Sequence, residues 1–143
     1  MKKSIYPMLK TGFVFLLLCL VAACSSDDNT PVPEPTPKDL IIGKWYVMKI
    51  TKADGSIHEP ANDCEKQSYY KFDDENEVTS VNFYLIDGDC LNSIGGGEYL
   101  LTDDGKKLIV TASDGVTTVI EILTLNKTNL ELKLGGDTVH LKK

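Results

Sequence analysis

The chain contains no arginine, only one tryptophan, and no apolar run long enough to span a bilayer. Without arginine it lacks the side chain that most often clamps phosphate groups and most often reads guanine. Acidic residues number 21 against 15 lysines, so the chain also lacks the basic footprint of a nucleic-acid-binding protein. A transmembrane helix needs roughly 20 apolar residues, whereas the longest apolar run, residues 13–23, has 11. These deficits argue against nucleic-acid binding and against a membrane-spanning helix.

Catalytic and metal-binding signatures are also missing. The sequence has no Gly-x-Ser-x-Gly elbow, no Walker phosphate loop and no Cys-x-x-Cys pair. His58 lies in a polar loop and His140 on the polar side of a predicted strand, so we expect both imidazoles to be solvated. The acidic turn at residues 73–77 lacks the glycine of a calcium loop, which favours a solvated turn over weak calcium binding. We therefore expect no catalytic residue, no cofactor and no metal site.

The N-terminus predicts export from the cytoplasm. Lys2, Lys3 and Lys10 precede the apolar run and small residues follow it, as in a signal peptide. The run ends in Val21-Ala22-Ala23-Cys24, which resembles the lipobox of bacterial lipoproteins. That resemblance implies removal of residues 1–23 and acylation of Cys24, which would anchor the chain in a membrane. Ordinary cleavage after Ala23, giving a soluble periplasmic protein, is the alternative.

Residues 24–38 read as a lipidated, proline-rich tether. Four prolines and few apolar residues leave this segment unable to bury a core. Proline-rich chain extends by about 3.1 Å per residue, so the tether would reach roughly 40 Å. Ser26-Asp27-Asp28 resembles the export signal of surface lipoproteins in the Bacteroidetes, which implies an outer-membrane protein that faces outward. A plain spacer is the alternative.

Residues 39–143 predict an all-β domain, because short β-rich runs alternate with Gly, Asp and Asn turns. Leu130, Leu132 and Leu134 would share one face of a strand, with polar residues on the other. The turns are short, which favours a small antiparallel up-and-down barrel of eight strands with no free edge. The predicted strands are 44–52, 68–72, 78–86, 97–101, 107–112, 116–124, 129–134 and 138–142.

Gly43-Lys44-Trp45 opens the first predicted strand and resembles the Gly-x-Trp start of lipocalins. With the order of the later features, the domain is similar to the lipocalin-like lipoproteins of the Bacteroidetes. The resemblance implies that Trp45 closes the base of the barrel. Lipocalins pack an arginine on that tryptophan, so a lysine, Lys142 or Lys143, must replace it here.

Two cysteines remain in the predicted domain, Cys64 and Cys90, and they flank one predicted hairpin. Outside the cytoplasm such a pair favours a structural disulfide over two free thiols. A redox pair is the other reading, but it usually has the Cys-x-x-Cys spacing that is missing here.

The expected function is non-catalytic binding of a small or amphipathic ligand, or a lipid, by a membrane-anchored lipocalin-like domain. The aromatic residues of the second, third and fourth predicted strands are compatible with either a filled core or an apolar pocket. The sequence assigns no ligand-binding residue. A barrel without a cavity, acting as an interaction module in an envelope complex, is therefore the alternative.

Overall fold

The computed structural model describes residues 33–143, in which nine strands form one antiparallel sheet. A five-residue helix, α1 (Pro37–Ile41), precedes the first strand, and a 3₁₀ turn (Glu65–Gln67) precedes the third. The strands are β1 (Gly43–Thr51), β2 (Ile57–His58), β3 (Tyr69–Phe72), β4 (Glu77–Ile86), β5 (Asp89–Leu101), β6 (Lys107–Ala112), β7 (Thr117–Leu125), β8 (Asn129–Leu134) and β9 (Asp137–Lys142).

The sheet closes into the eight-stranded up-and-down barrel that the sequence predicts. From β3 to β9 each strand pairs with the next one in the chain. The first half of β1 pairs with β3, and its second half pairs with β9, which closes the sheet on itself. The eight predicted strands correspond to β1 and β3–β9. The additional strand, β2, has two residues and pairs only with the end of β1.

Strand β5 is longer than the sequence predicts, because it begins at Asp89 and not at residue 97. Its first half forms a hairpin with β4 across the two-residue turn Asp87-Gly88, in which both residues have positive φ. Asp-Gly is a favoured sequence for such a turn, but no hairpin was predicted here from the sequence. Gly97 lies within β5, close to β6, because a Cβ at this position would overlap the carbonyl oxygen of Thr111.

The last three residues of the predicted tether belong to the first helix, since Thr36 caps α1 and α1 begins at Pro37. The Thr36 hydroxyl accepts a bond from the Asp39 amide, and the Asp39 carboxylate accepts one from the Thr36 amide. This reciprocal pair and the proline at the first helical position specify a helix start. Within residues 33–143 no helix is both long enough and apolar enough to cross a membrane.

Trp45 lies at one end of the barrel, which we call the base, and its side chain is fully buried. The indole Nε1 donates to the carbonyl of Ile41, the last residue of α1, at 2.6 Å. Lys143 lies over the indole, 4.5 Å from the ring centroid, and donates to the Leu40 carbonyl. The sequence predicts either Lys142 or Lys143 as the partner of Trp45, and Lys143 is the one that contacts the ring. Its partial burial lowers the pKa of the ammonium group.

Gly43 is required at the base by two separate constraints. Its φ of +127° lies in a region that side chains disfavour. A Cβ at this position would also lie 3.0 Å from Cε of Lys143. In the Gly-x-Trp pattern, Gly43 therefore supplies the positive φ that the backbone needs here, and Trp45 supplies the side chain that fills the base. Above Trp45 the core consists of inward-facing side chains of the strands: Phe72, Val78, Tyr99, Leu108, Ile122, Leu130, Leu132 and Leu141.

Candidate functional site

A cavity of about 280 Å³ lies inside the barrel at the end opposite Trp45, which we call the mouth. Strands β1, β3, β4 and β9 form its walls, and residues of the segment 58–68 form its rim. Small-molecule sites usually measure about 300–1,000 Å³, so the volume lies at the lower end of the range. The barrel is therefore filled at its base and open at its mouth.

The apolar wall of the cavity depends on a β-bulge in β1. The register between β1 and β9 shifts between Val47 and Lys49, so that Ile50 pairs with Val139. Strict alternation from Trp45 would point Lys49 into the barrel. The bulge turns Lys49 outward and gives the cavity Val47, Ile50 and Val139 as an apolar wall.

The polar side chains that line the cavity and have no protein partner among the described residues include Tyr70 and Asn82 on the wall and His58 on the rim. No buried side-chain polar atom of the described residues is left unsatisfied, so the Tyr70 hydroxyl must be open to the cavity. Burial raises the pKa of Tyr70 above its ordinary value, and the group stays a neutral phenol at physiological pH. The cavity thus combines the phenolic hydroxyl of Tyr70, the side-chain amide of Asn82 and an apolar wall.

Three sets of bonds hold the rim segment, residues 58–68, in place. The first two are hydrogen bonds. The Glu65 amide donates to Asn62 Oδ1, and the Glu65 carboxylate accepts from the Ala61 amide and the Asn62 side chain. Ser68 Oγ accepts from the amide of Phe83 in β4 at 2.9 Å. Because the Glu65 carboxylate is hydrogen-bonded within its own turn, it is not free to bind a molecule in the cavity.

Cys64 and Cys90 form the third attachment, a disulfide with a Cα–Cα distance of 5.6 Å. The bridge predicted from the sequence is therefore present, and its place in the fold is now defined. It ties the rim segment to the first half of β5. Because that half of β5 extends beyond the pairing with β6, the disulfide braces both the hairpin and the rim of the cavity.

The β4–β5 hairpin continues the cavity wall outward. Asn82 lines the cavity, and Tyr84 and Ile86 follow it on the same side of β4. Leu91 lies directly opposite Tyr84 on β5. Tyr84, Ile86 and Leu91 are 38%, 50% and 44% exposed, and we call these three residues the apolar rim.

His140 is not the solvated side chain that the sequence predicts. On the outer wall its Nε2 lies 3.1 Å from the Thr51 hydroxyl and its Nδ1 lies 3.0 Å from the Glu131 carboxylate. The Thr124 hydroxyl also donates to Glu131 at 2.9 Å. This bond and the one to His140 hold the pKa of Glu131 below its ordinary value, although partial burial opposes them. The network links β1, β7, β8 and β9 where the barrel closes.

The other predicted residues do not converge on one site. Cys24 lies outside the described residues, and Gly43 and Trp45 are at the base, away from the cavity. His58 is on the rim. In the acidic turn, Asp73 accepts from the amides of Glu75 and Glu77, and the described residues contain no group of three potential metal ligands.

Among the cavity residues, Tyr70 and Tyr84 belong to the aromatic set noted in the sequence, whereas nothing in the sequence pattern indicated Ile50 or Asn82 as cavity residues.

Comparisons with known proteins agree with this architecture. A family model described as a lipocalin-like domain matches residues 41–132. The structure is similar to a lipocalin-like protein from Bacteroides uniformis, with 18% identity and a TM-score of 0.56 over 72% of this chain and 97% of that chain. An uncharacterised protein from Bacteroides eggerthii has 13% identity and a TM-score of 0.56, over 72% and 98% of the two chains. A search of curated protein sequences finds no match.

Proposed function

The chain belongs to the lipocalin-like domain family, and we propose that it binds a small, largely apolar molecule in the cavity at the mouth. The observation that carries this proposal is the pairing of Tyr70 and Asn82, both open to the cavity, with an apolar wall. Ligand sites typically combine apolar surface with a few polar groups that fix orientation. This cavity has that composition, and its volume is near the lower end of the usual range.

The ligand should carry an uncharged hydrogen-bonding group. Burying an ion without a partner is strongly unfavourable, and Glu65, the nearest acidic group, is bonded within its own turn. The Tyr70 hydroxyl can donate or accept, and the Asn82 amide can do both. An alcohol, ketone or amide function therefore fits the part of the cavity beside Tyr70 and Asn82, while His58 is the basic side chain on its rim.

The size of the cavity limits how much of the ligand is enclosed. About 280 Å³ holds a small molecule or the head of a larger one. The apolar rim of Tyr84, Ile86 and Leu91 can cover a further apolar part outside the cavity. This arrangement favours an amphipathic ligand whose polar group enters the barrel.

We expect Tyr70→Phe to weaken ligand binding. Native mass spectrometry of the oxidised chain from Ser25 onward, after exposure to lipid and metabolite extract of the source organism, should show a discrete bound mass. With the bound compound purified, loss of one hydrogen bond should weaken binding by about 2- to 10-fold. Isothermal titration calorimetry measures the difference.

Tyr69→Phe is the matched control for that variant, because Tyr69 is the preceding residue of β3 and faces outward. It should bind like the unsubstituted protein. A chain that carries no bound mass, or equal affinities for the Tyr70 and Tyr69 variants, would contradict ligand binding in the mouth cavity.

We also propose that acylated Cys24 anchors the barrel in the outer membrane. The lipobox resemblance and the tether support this proposal. The described chain enters the fold at Thr36, next to the base, so an anchored barrel would have its mouth at the far end from the point of attachment. The resemblance of Ser26-Asp27-Asp28 to a surface-export signal favours an outward-facing protein.

Cys24→Ser should release the protein from washed membranes into the soluble fraction. Ser25→Ala, which keeps the thiol, should remain in the membranes. Immunoblotting of the two fractions measures the distribution, and a Cys24→Ser protein that stays in the membranes would refute the anchor. Shaving of intact cells with protease then tests orientation, with cleavage expected for an outward-facing domain.

A second candidate function is protein interaction, and one observation favours it. The outer side of the β4–β5 hairpin carries Leu85 and Ile94, which are 48% and 72% exposed. Exposed apolar side chains on one face can mark a contact surface, and these two share the face about 13 Å apart along the hairpin, with the Phe83–Asn92 pair between them. This reading gains support if the chain carries no bound ligand.

A further inference from the structure

The outer wall near the base carries a cluster of lysines and tyrosines, which we call the wall patch: Lys44, Tyr46, Tyr69, Lys71 and Lys142. Lys44 lies directly opposite Lys71 on β3, and Tyr46 lies opposite both Tyr69 on β3 and Lys142 on β9. Trp45, Phe72 and Leu141 alternate with these residues and point into the core. The five side chains of the patch therefore share the outer face of three adjacent strands.

The lysines of the patch have no acidic partner. Ion pairs within residues 33–143 involve Lys52, Lys66, Lys133 and His140, and none involves Lys44, Lys71 or Lys142. The strand partners at the two edges of the patch, Thr79 and Asn129, are uncharged. Glu77 and Glu131 are on the same outer face, two residues from Thr79 and Asn129, but within the described residues neither forms an ion pair with a lysine of the patch.

The pair Lys44–Lys71 is unfavourable by itself, because like charges directly opposite on neighbouring strands repel each other. Lys44 is nevertheless held in position by aromatic rings. Its Nζ lies 3.9 Å from the ring centroid of Tyr69 and 5.8 Å from that of Tyr46. The two rings pack edge to face at 6.2 Å. An anion that lies between the lysines would remove the repulsion and would find Lys44 already ordered.

We propose that the wall patch binds an acidic oligosaccharide, that is, a sugar chain with carboxylate or sulfate groups. Adjacent strands lie about 4.8 Å apart and Lys142 is opposite Tyr46, two residues along from Lys44, so the oblique row from Lys71 through Lys44 to Lys142 spans roughly 12 Å. Such a row matches an extended ligand with repeated charges better than a single small anion. Tyr46, which is 41% exposed, adds an apolar ring face and a hydroxyl beside the row.

An anionic membrane surface fits this patch less well. Interfacial membrane binding combines cations with protruding apolar side chains. The side chains between the lysines of the patch are tyrosines, whereas Leu85 and Ile86 are at the mouth and Ile94, in the same register as Tyr69, is two strands away from it. The acidic net charge does not prevent binding, because charges beyond the Debye length of about 8 Å are screened at physiological salt.

The test uses the chain from Ser25 onward, which keeps the whole described barrel with its helix and disulfide. The probe is a galacturonic acid hexamer, with maltohexaose as the uncharged control sugar. Microscale thermophoresis should detect binding of the acidic hexamer only, and the affinity should fall as salt is added. The triple variant Lys44→Gln, Lys71→Gln, Lys142→Gln should bind about tenfold more weakly, since each exposed charge contact contributes a factor of about 1.5 to 5.

A matched triple variant changes the same charge elsewhere. Lys106, Lys107 and Lys127 are exposed and outside the patch, and their replacement by glutamine should leave the affinity within about twofold. Tyr46→Ser should also weaken binding, which a purely electrostatic attraction would not produce. All variants are first checked for an unchanged melting temperature.

Three results would overturn the proposal. The first is no binding of the acidic hexamer by the unsubstituted chain. The second is an equal loss of affinity in the two triple variants, which would show attraction by net charge alone. The third is binding to vesicles of equal parts phosphatidylcholine and phosphatidylglycerol that depends on the patch lysines, without binding of the hexamer, which would assign the face to a membrane.

Discussion

Replacing Trp45 with alanine is expected to lower the free energy of unfolding by about 3–5 kcal/mol. The side chain is fully buried at the base, and its removal leaves a cavity between α1 and the core. It also removes the donor to the Ile41 carbonyl and the ring under the Lys143 ammonium. Chemical denaturation followed by circular dichroism measures the loss.

Two comparisons make the Trp45 result specific. Leu123→Ala, on the outer face of β7, removes a side chain that is 47% exposed and should change stability by less than about 1 kcal/mol. Lys143→Met keeps the length of the side chain but removes the bond to the Leu40 carbonyl, so its loss should fall between the two. A Trp45→Ala loss below about 1 kcal/mol would contradict the role of Trp45 as the closure of the base.

Removal of the disulfide is expected to lower the free energy of unfolding by about 3–4 kcal/mol. The bridge closes a loop with a sequence separation of 26, and an unfolded chain without it gains the entropy of that loop. The double variant Cys64→Ser, Cys90→Ser tests this, with the same denaturation curves. The reduced form of the unsubstituted protein should show a similar loss.

The location of the bridge adds a second expected effect. Cys64 is in the segment that forms the rim of the cavity, and Cys90 is in the protruding half of β5. Amide hydrogen exchange should therefore accelerate in residues 61–68 and 89–94, while the strands around Trp45 should keep their protection. Uniform acceleration would show that the disulfide stabilises the whole barrel and not the mouth in particular.

The alternating strands were predictable because the pattern of apolar and polar residues that indicates each strand lies within a few consecutive residues of the chain. Leu130 and Leu132 point inward and Glu131 points outward, as a period of two requires. The turns were predictable for the same reason, since Asp-Gly and Gly-Gly pairs permit positive φ whatever lies around them. The repeated pattern of such strands, separated by short turns, was enough to indicate an antiparallel barrel.

The cavity was not predictable in the same way. Its apolar wall depends on the bulge between Val47 and Lys49, and a bulge is decided by how β1 fits β9, which follows much later in the chain. Strict alternation would have placed Lys49 where Ile50 lies. The first half of β5 escaped prediction for a similar reason, because its polar and glycine residues form a strand only through their register with β4.

The sequence by itself determined the strand pattern, the base motif Gly43-x-Trp45 and the one cysteine pair of the folded domain, since these depend on local periodicity, backbone freedom and the number of cysteines in residues 39–143. The tertiary structure alone decided that Lys143 covers Trp45, that Tyr70 and Asn82 share a cavity, and that Lys44, Lys71 and Lys142 share one face. Those residues are far apart in the chain, and only the closure of β1 against β9 and the registers of the intervening strands bring them together.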